Sequence, residues 1–279
     1  MNRLSHLLEM WDTSQQLRLN PLDRLTFAIA SSHRLGKWLA RRGVEKVNVR
    51  FQESGRTFVL PLRLNGVDGA LAHDIFVNRP YDISSEAGDI RTILDLGGNV
   101  GFGTLLFHAY FPSASIATVE PLPSNMQLLQ QTVALNHIPA TLFEAAVGVE
   151  DGRVEVRVAD DPTASSITPG VETKRSITAQ QISVPSIMKK MGWRHIDLLK
   201  IDIEGYEKTL FSSGNDWLRH VGLIVGEAHA HVQYYFEDVV RDLAPFGFRV
   251  TLKRADPEFG LVVFIARRPT SAAKALRAS

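Results

Sequence analysis

Two apolar runs end in side chains of the types that move protons or hold cations. The first, Leu198 to Ile203, is interrupted by Lys200 and Asp202, and Glu204-Gly205 then turns the chain toward a helix. The second, Val221 to His229, ends in Glu227 and His229. Polar residues inside a central parallel strand are costly unless they are paired or used. Strand side chains alternate with period two, so Glu227 and His229 point to one side, and His231 joins them only if the strand runs on. Histidine titrates near neutrality, and burial or like-charged neighbours raise a carboxylate into the same range. This pattern suits removal of a proton from a hydroxyl. Our reading places His229 or Asp202 as general base, with Lys200 and Glu204 orienting it. The plainer roles are a helix cap for Glu204, pairing with Asp202 for Lys200 (the role preferred for that residue) and a mutual hydrogen bond for Glu227 and His229. In a competing account, not the one favoured, Asp202, Glu227 and His229 are oxygen and imidazole ligands of a divalent metal.

A second constellation lies upstream. Ile93-Leu94 is an apolar, β-branched start that ends in Asp95, followed by Gly97, Gly98, Asn99 and Gly101 and an apolar helical stretch from Val100 to Tyr110. Strand, tight turn and helix in that order open a doubly wound α/β sheet. The dinucleotide fingerprint G-x-G-x-x-G fits no register here, which argues against a nicotinamide oxidoreductase. The phosphate loop is absent as well. A carboxylate ahead of the glycines repels pyrophosphate and suits a ligand carrying ammonium or sulfonium charge, as S-adenosylmethionine does. Glu120, 25 positions after Asp95, closes the run Ser115 to Val119 and can accept both ribose hydroxyls. Pro121 follows it. Ala145-Ala146, at the end of the strand expected over Thr141–Val147, leaves room for a flat adenine. Tyr81 stands close enough upstream of the turn to fold over a cofactor, although a buried tyrosine with a satisfied hydroxyl is the preferred reading.

Elements that place these groups follow from the remaining pattern. Residues 1 to about 42 read as helices, with Leu4, Leu7, Leu8 and Trp11 on one face and a second helix from Pro21 through Leu39. Val47–Phe51 and Thr57–Pro61 alternate around Glu53-Ser-Gly-Arg56 as a hairpin. Leu71–Tyr81 leads into the central sheet, and Ser124 caps a helix ending near Asn136. Val154–Val158 is an extra strand, and Asp160–Thr178 is a long polar loop centred on Ala164-Ser-Ser-Ile167. Val184–Met191 is a helix stopped by Gly192, Tyr235–Leu243 is another, and Phe248–Leu252 with Leu261–Ala266 close the sheet as a hairpin. Domain boundaries are expected at 1–80 for a cap or dimer surface, 81–268 for the catalytic domain and 269–279 for a frayed tail.

Composition sets outer limits. The chain of 279 residues is 44% hydrophobic and 22% charged, with a formal net charge of +1 and no cysteine. Disulfides, thiol catalysis and cysteine-bound metals are excluded, and nothing calls for nucleic acid as a partner. The N-terminus lacks the pattern of a secretion signal, and no run reaches the ~18 apolar residues of a membrane span. A cytoplasmic protein with no membrane partner is expected.

Taken together, Asp95-Leu-Gly-Gly-Asn-Val-Gly101, Val119-Glu-Pro121 with Asn125, Ala164-Ser-Ser-Ile167, Lys200-Ile-Asp-Ile-Glu-Gly-Tyr-Glu207 and Glu227-Ala-His229 resemble the FkbM family of S-adenosylmethionine-dependent methyltransferases. The likeness covers roughly residues 75 to 250. Gly98 departs from it, standing where the family usually has alanine. The resemblance implies a class I, Rossmann-like fold: a seven-stranded, mostly parallel sheet with an antiparallel last strand, to which the N-terminal helices and the hairpin are added. It also implies S-adenosylmethionine as cofactor, S-adenosylhomocysteine as product and O-methylation of a hydroxyl on a sugar or natural product. The acceptor is then a hydroxylated small molecule, and the chain forms a homodimer if the N-terminal helices supply a surface. A non-catalytic nucleoside-binding module is the remaining alternative.

Overall fold

The structure is a computed structural model, and it describes residues 12–64, 67–85, 88–158, 175–257 and 260–268. The expectations for Leu4 to Trp11, for Ala164-Ser-Ser-Ile167 and for the tail 269–279 lie outside the described residues. The chain divides into two compact units, residues 1–80 with 100–112 and 127–138, and residues 81–99 with 113–126 and 139–279.

In the first unit, Asn20 accepts a hydrogen bond from the Asp23 N–H and Pro21 occupies the first turn, so helix α1 starts at Pro21 and runs to Ser31. The single helix expected through Leu39 is two. Ser32 is extended, and α2, His33–Ala40, follows it. Strands β1, Lys46–Glu53, and β2, Arg56–Arg63, pair antiparallel around Ser54-Gly55, both with positive φ. Their inward residues Val49, Phe51, Phe58, Leu60 and Leu62 are buried. Residues 71–81 do not run straight into a sheet. Helix α3, Val67–His73, passes into a π-helical turn, Asp74–Asn78, that ends on left-handed Arg79. The same unit holds α4, Phe102–Tyr110, and most of α5, Pro123–Leu135. Helix α5 starts at Pro123, one residue before the serine expected to cap it.

The second unit carries the central sheet. Its strands are β3, Thr92–Leu96; β4, Ser115–Val119; β5, Ala140–Phe143; β9, Ile196–Ile201; β10, Val221–His229; β11, Arg249–Asp256; and β12, Leu261–Arg267. They lie in the order β11-β12-β10-β9-β3-β4-β5. Neighbours from β10 to β5 are parallel, and β12 is antiparallel to both of its neighbours. A smaller sheet contains β6, Ala146–Gly148, β7, Gly152–Val158, and β8, Arg175–Ser183, in the order β6-β8-β7. The strand expected over 141–147 is therefore broken at Glu144-Ala145, and its second half belongs to the small sheet. The loop expected to reach Thr178 gives way to β8 at Arg175.

One face of the central sheet is apolar. Leu94, Leu96, Ala117, Val119, Leu199, Ile201, Ile224 and Ala228 pack with α6, Val184–Met191, α7, Glu207–Ser212, and α8, Phe236–Leu243. The alternate residues Asp95, Thr118, Lys200 and Val225 form one cross-strand row on the opposite face. On that second face Ile93, Ile116 and Leu198, two residues earlier, are buried and apolar, so its polar side chains gather toward the C-terminal ends of the strands.

Candidate active site

The glycine turn is built by backbone demands. Gly97 and Gly101 have φ of +78° and +88°, and Asn99 has φ +48°. A Cβ on Gly97 would stand 1.8 Å from the Asp202 carbonyl oxygen. Only glycine allows that approach. The N–H groups of Gly97 and Gly98 donate to Val119 O, and Asp202 N–H donates to Leu96 O, so the ladder continues past the end of β9. Asn99 N–H donates to Glu120 Oε2 at 2.9 Å, while Leu122 N–H and Asn125 Nδ2 donate to Glu120 Oε1. Glu120 is buried, and burial pushes its carboxyl up to about 7 against those donors and the charge of Lys200. Pro121 is half-buried between Glu120 and Leu122. Ala146 opens β6 and packs with Leu122 and Val156.

Asp95 does not stand open at the mouth of the turn. It is fully buried in the row beside Lys200, whose Nζ lies 3.3 Å from Asp95 Oδ1 and 3.8 Å from Asp202 Oδ2. The same ammonium donates to the carbonyls of Leu96 and Gly97 and so holds the turn from beneath. Burial alone would lower its pKa, but Asp95, Asp202 and Glu227 outweigh that and raise it. Lys200 therefore pairs with two acids, the expected Asp202 and the unexpected Asp95.

Around the ends of β9 and β10, Tyr81, Asp202, Glu204, Glu227 and His229 come together. Tyr81 is 2% exposed, and its hydroxyl lies 2.9 Å from Asp202 Oδ2 and 2.8 Å from Glu227 Oε1. Burial and those two carboxylates hold its pKa well above the ordinary value, so it stays a donor. His229 Nε2 stands 3.7 Å from Glu204 Oε2, 3.9 Å from Asp202 Oδ1 and 4.0 Å from Glu227 Oε2. Its Nδ1 is 3.5 Å from Glu207 Oε2. Burial works against charge on this ring, yet Glu207, Glu204 and Asp202 outweigh it and push the pKa up to about 10. Burial and the nearby Asp202 push Glu204 up to about 8, partly offset by His229.

Several details differ from the pattern read in the sequence. Glu204 adopts φ +54° and does not cap α7. Glu207 reaches back instead, accepting the Ile203 N–H at 2.6 Å. It was missed as a site residue because its approach to His229 depends on the backbone reversal at Glu204-Gly205, where both residues have positive φ. His231 leaves the row because β10 ends at His229 and a 3-10 turn, Ala230–Val232, begins.

The strand order, the glycine turn and the acid closing the second parallel strand are those of a class I methyltransferase. The methyltransferase FkbM domain matches residues 95–250. Hexuronic acid methyltransferase AglP of Haloferax volcanii is 25% identical over 178 residues, covering 62% of this chain and 71% of the relative. The 31-O-demethyl-FK506 methyltransferase FkbM of Streptomyces tacrolimicus is 24% identical over 224 residues, covering 68% and 84%. The crystal structure of a methyltransferase FkbM from Methylobacillus flagellatus aligns with a TM-score of 0.45 at 15% identity, over 71% of this chain and 53% of that one. The chain belongs to the FkbM family and is an S-adenosylmethionine-dependent methyltransferase.

The residues present fit that cofactor. Asn99 Oδ1 is buried at the turn with no hydrogen-bond partner, close in the chain to the backbone N–H that holds Glu120. A ligand with two ribose hydroxyls and an ammonium group brings the donors that such acceptors lack. No helix among the described residues is long and apolar enough to cross a membrane.

Proposed function

We propose that the protein O-methylates a hydroxyl of a small, hydroxylated acceptor, a sugar or a polyol-bearing natural product. Glu120 takes the ribose hydroxyls, the Gly97–Gly101 turn lies along the cofactor, and Asn99 and Asp202 stand beside it, with Tyr81 behind Asp202. The cofactor, when bound, supplies a methyl group on a sulfonium, an already good leaving group. This chain's residues must then align the acceptor oxygen and receive its proton. That proton passes to the strand-end cluster at Asp202, with Lys200 and Glu204 setting its orientation; His229, one of the two residues the sequence offered for this role, is held protonated up to about pH 10 by its carboxylate neighbours and stands beside Asp202 as a cation.

The observation that carries this reading is the convergence of Asp202, Glu204, Glu227 and His229 on the sheet face that holds Lys200, beside the turn that Gly97 shares with Asp202. Buried acids are costly to gather without a use. Two relatives are named for a hexuronic acid and for 31-O-demethyl-FK506, and the second name places the methyl group on an oxygen.

The test begins with calorimetric titration of S-adenosylhomocysteine into the metal-stripped protein. Wild type is expected to bind, and Glu120→Ala to lose about 1–3 kcal/mol, the scale of a charged hydrogen bond. Methyl transfer from labelled S-adenosylmethionine to hexuronic acids and to 31-O-demethyl-FK506 then reads the acceptor. Absence of binding heat in wild type sinks the cofactor assignment. Label appearing on an amine rather than a hydroxyl sinks the acceptor class.

A further inference from the structure

We infer that Asp202, Glu227 and His229 form a divalent-cation site that takes Mn²⁺. Each of the three offers one ligand atom, and these atoms lie within 4.8 Å of one another. The nearest carboxylate oxygens of Asp202 and Glu227 are 3.9 and 4.0 Å from His229 Nε2, beyond hydrogen-bonding reach. They are suitably spaced for ligands of one ion. Bonds of about 2.0–2.2 Å put two ligands roughly 3 Å apart at right angles and roughly 4.2 Å apart when opposed.

Two further observations point to a missing cation. The buried Asp202 Oδ1 makes no hydrogen bond, and His229, 7% exposed, turns Nε2 toward Asp202 and Glu227 while its Nδ1 faces Glu207. Tyr81 has one hydroxyl hydrogen, yet its oxygen is within 2.9 Å of both Asp202 and Glu227, so it donates to only one of them at a time. Across the cluster, the acids Asp95, Asp202, Glu204, Glu207 and Glu227 gather about the Lys200 ammonium and the His229 imidazole. Gathering that many carboxylates out of water is expensive without a further positive charge.

The donor set selects the ion. Two carboxylates suit hard cations such as Mg²⁺, Ca²⁺ and Mn²⁺, while an imidazole favours a transition metal. Mn²⁺ satisfies both, and thiolate-seeking ions find no cysteine in the chain. A hydroxyl bound to such an ion loses its proton more easily. With the ion bound, His229 Nε2 would carry the metal in place of a proton, Asp202 would be a ligand rather than the base, and the proton given up by the hydroxyl would pass to Glu204, whose carboxylate lies 3.7 Å from His229 Nε2, or to solvent. That role rests on the methyltransferase reading; the binding of the ion does not.

The full chain, stripped of metal, should be titrated with MnCl₂ and followed by electron paramagnetic resonance of the free ion, in parallel with S-adenosylhomocysteine calorimetry. Wild type is expected to take up one Mn²⁺, and Glu227→Gln and His229→Gln each to bind it roughly tenfold or more weakly, the low end of what a disturbed metal shell costs. The exposed control Asp216→Asn is expected to match wild type. All four proteins are expected to bind S-adenosylhomocysteine without metal, which shows that they are folded. If one variant fails that check, the other decides. No uptake by wild type at millimolar Mn²⁺, or uptake that both substitutions leave unchanged, overturns the site. Failure of S-adenosylhomocysteine to bind wild type counts against the cofactor assignment alone, because the manganese signal is read independently of it.

Discussion

Tyr81 supplies the cluster with a single proton placed between Asp202 and Glu227, and it does so from full burial. Tyr81→Phe leaves both carboxylates without that donor and is expected to lower unfolding stability by about 1–3 kcal/mol. Turnover should fall further than affinity for S-adenosylhomocysteine. Urea unfolding and calorimetry on the same preparation check this, and a phenylalanine variant as stable and as active as wild type would refute it. Glu120 makes a different prediction. Its folded pKa of about 7 lies above the ordinary value of ~4.3, so the folded state holds the proton more tightly. The stability this contributes is complete below the unfolded value and is lost as pH rises through about 7. Melting temperature recorded from pH 4 to 8 should therefore show a decline that Glu120→Gln removes. Asp202, Glu227 and His229 were readable as a set because two spacings of two residues ended apolar runs. The pairing of Asp95 with Lys200 was not read, since it depends on the register in which the two neighbouring strands align. Nor was the part played by Glu207, whose carboxylate meets His229 only after the backbone reverses at Glu204-Gly205.

Among the elements, the glycine turn carries the sharpest constraint. Gly97→Ala meets both a positive φ and a carbonyl oxygen 1.8 Å from the new methyl group. A strained backbone position costs about 1–3 kcal/mol by itself, and relief of the clash must move Asp202. The variant is expected to melt lower and to bind S-adenosylhomocysteine at least several-fold more weakly. The equivalent change at the open, positive-φ Gly192, where nothing lies within 4 Å, should cost stability without touching the cofactor. Most central elements were legible because their apolar runs are bounded by glycine, proline or charge. Strand β8 was not. Its burial alternates between half-buried and exposed through Arg175–Gln181, and such a pattern merges with the polar stretch before it. The break between β5 and β6 escaped notice for the opposite reason: Thr141–Val147 reads as one apolar run, while the chain changes sheets inside it. Ser32 ended a helix in the middle of an otherwise helical pattern, where a serine is only a weak signal.

At the scale of the molecule, the seven-stranded order was inferable from resemblance and from the alternation of strands with helices. The grouping of residues 100–112 and 127–138 with the N-terminal segment was not, because they join it across long gaps in sequence. The central sheet draws its stability from the apolar face that α6, α7 and α8 cover. Leu199→Ala in the middle of that face is expected to cost 2–5 kcal/mol and to lower the urea midpoint. Methyl transfer per folded molecule should persist, since Leu199 points away from Lys200. A loss of activity in fully folded Leu199→Ala would show that the two faces are not separable. The alternation of faces has one more consequence. Lys200 with Asp202, and Glu227 with His229, are reactive by parity: each pair is an even step along its strand, and the odd positions between them belong to the greasy side. The catalytic set thus has something like a reading frame. One residue gained or lost within β9 turns its reactive groups into the core and Leu199 and Ile201 toward the ligand, whereas a change of two preserves the sense of the message and merely shifts it along the sheet.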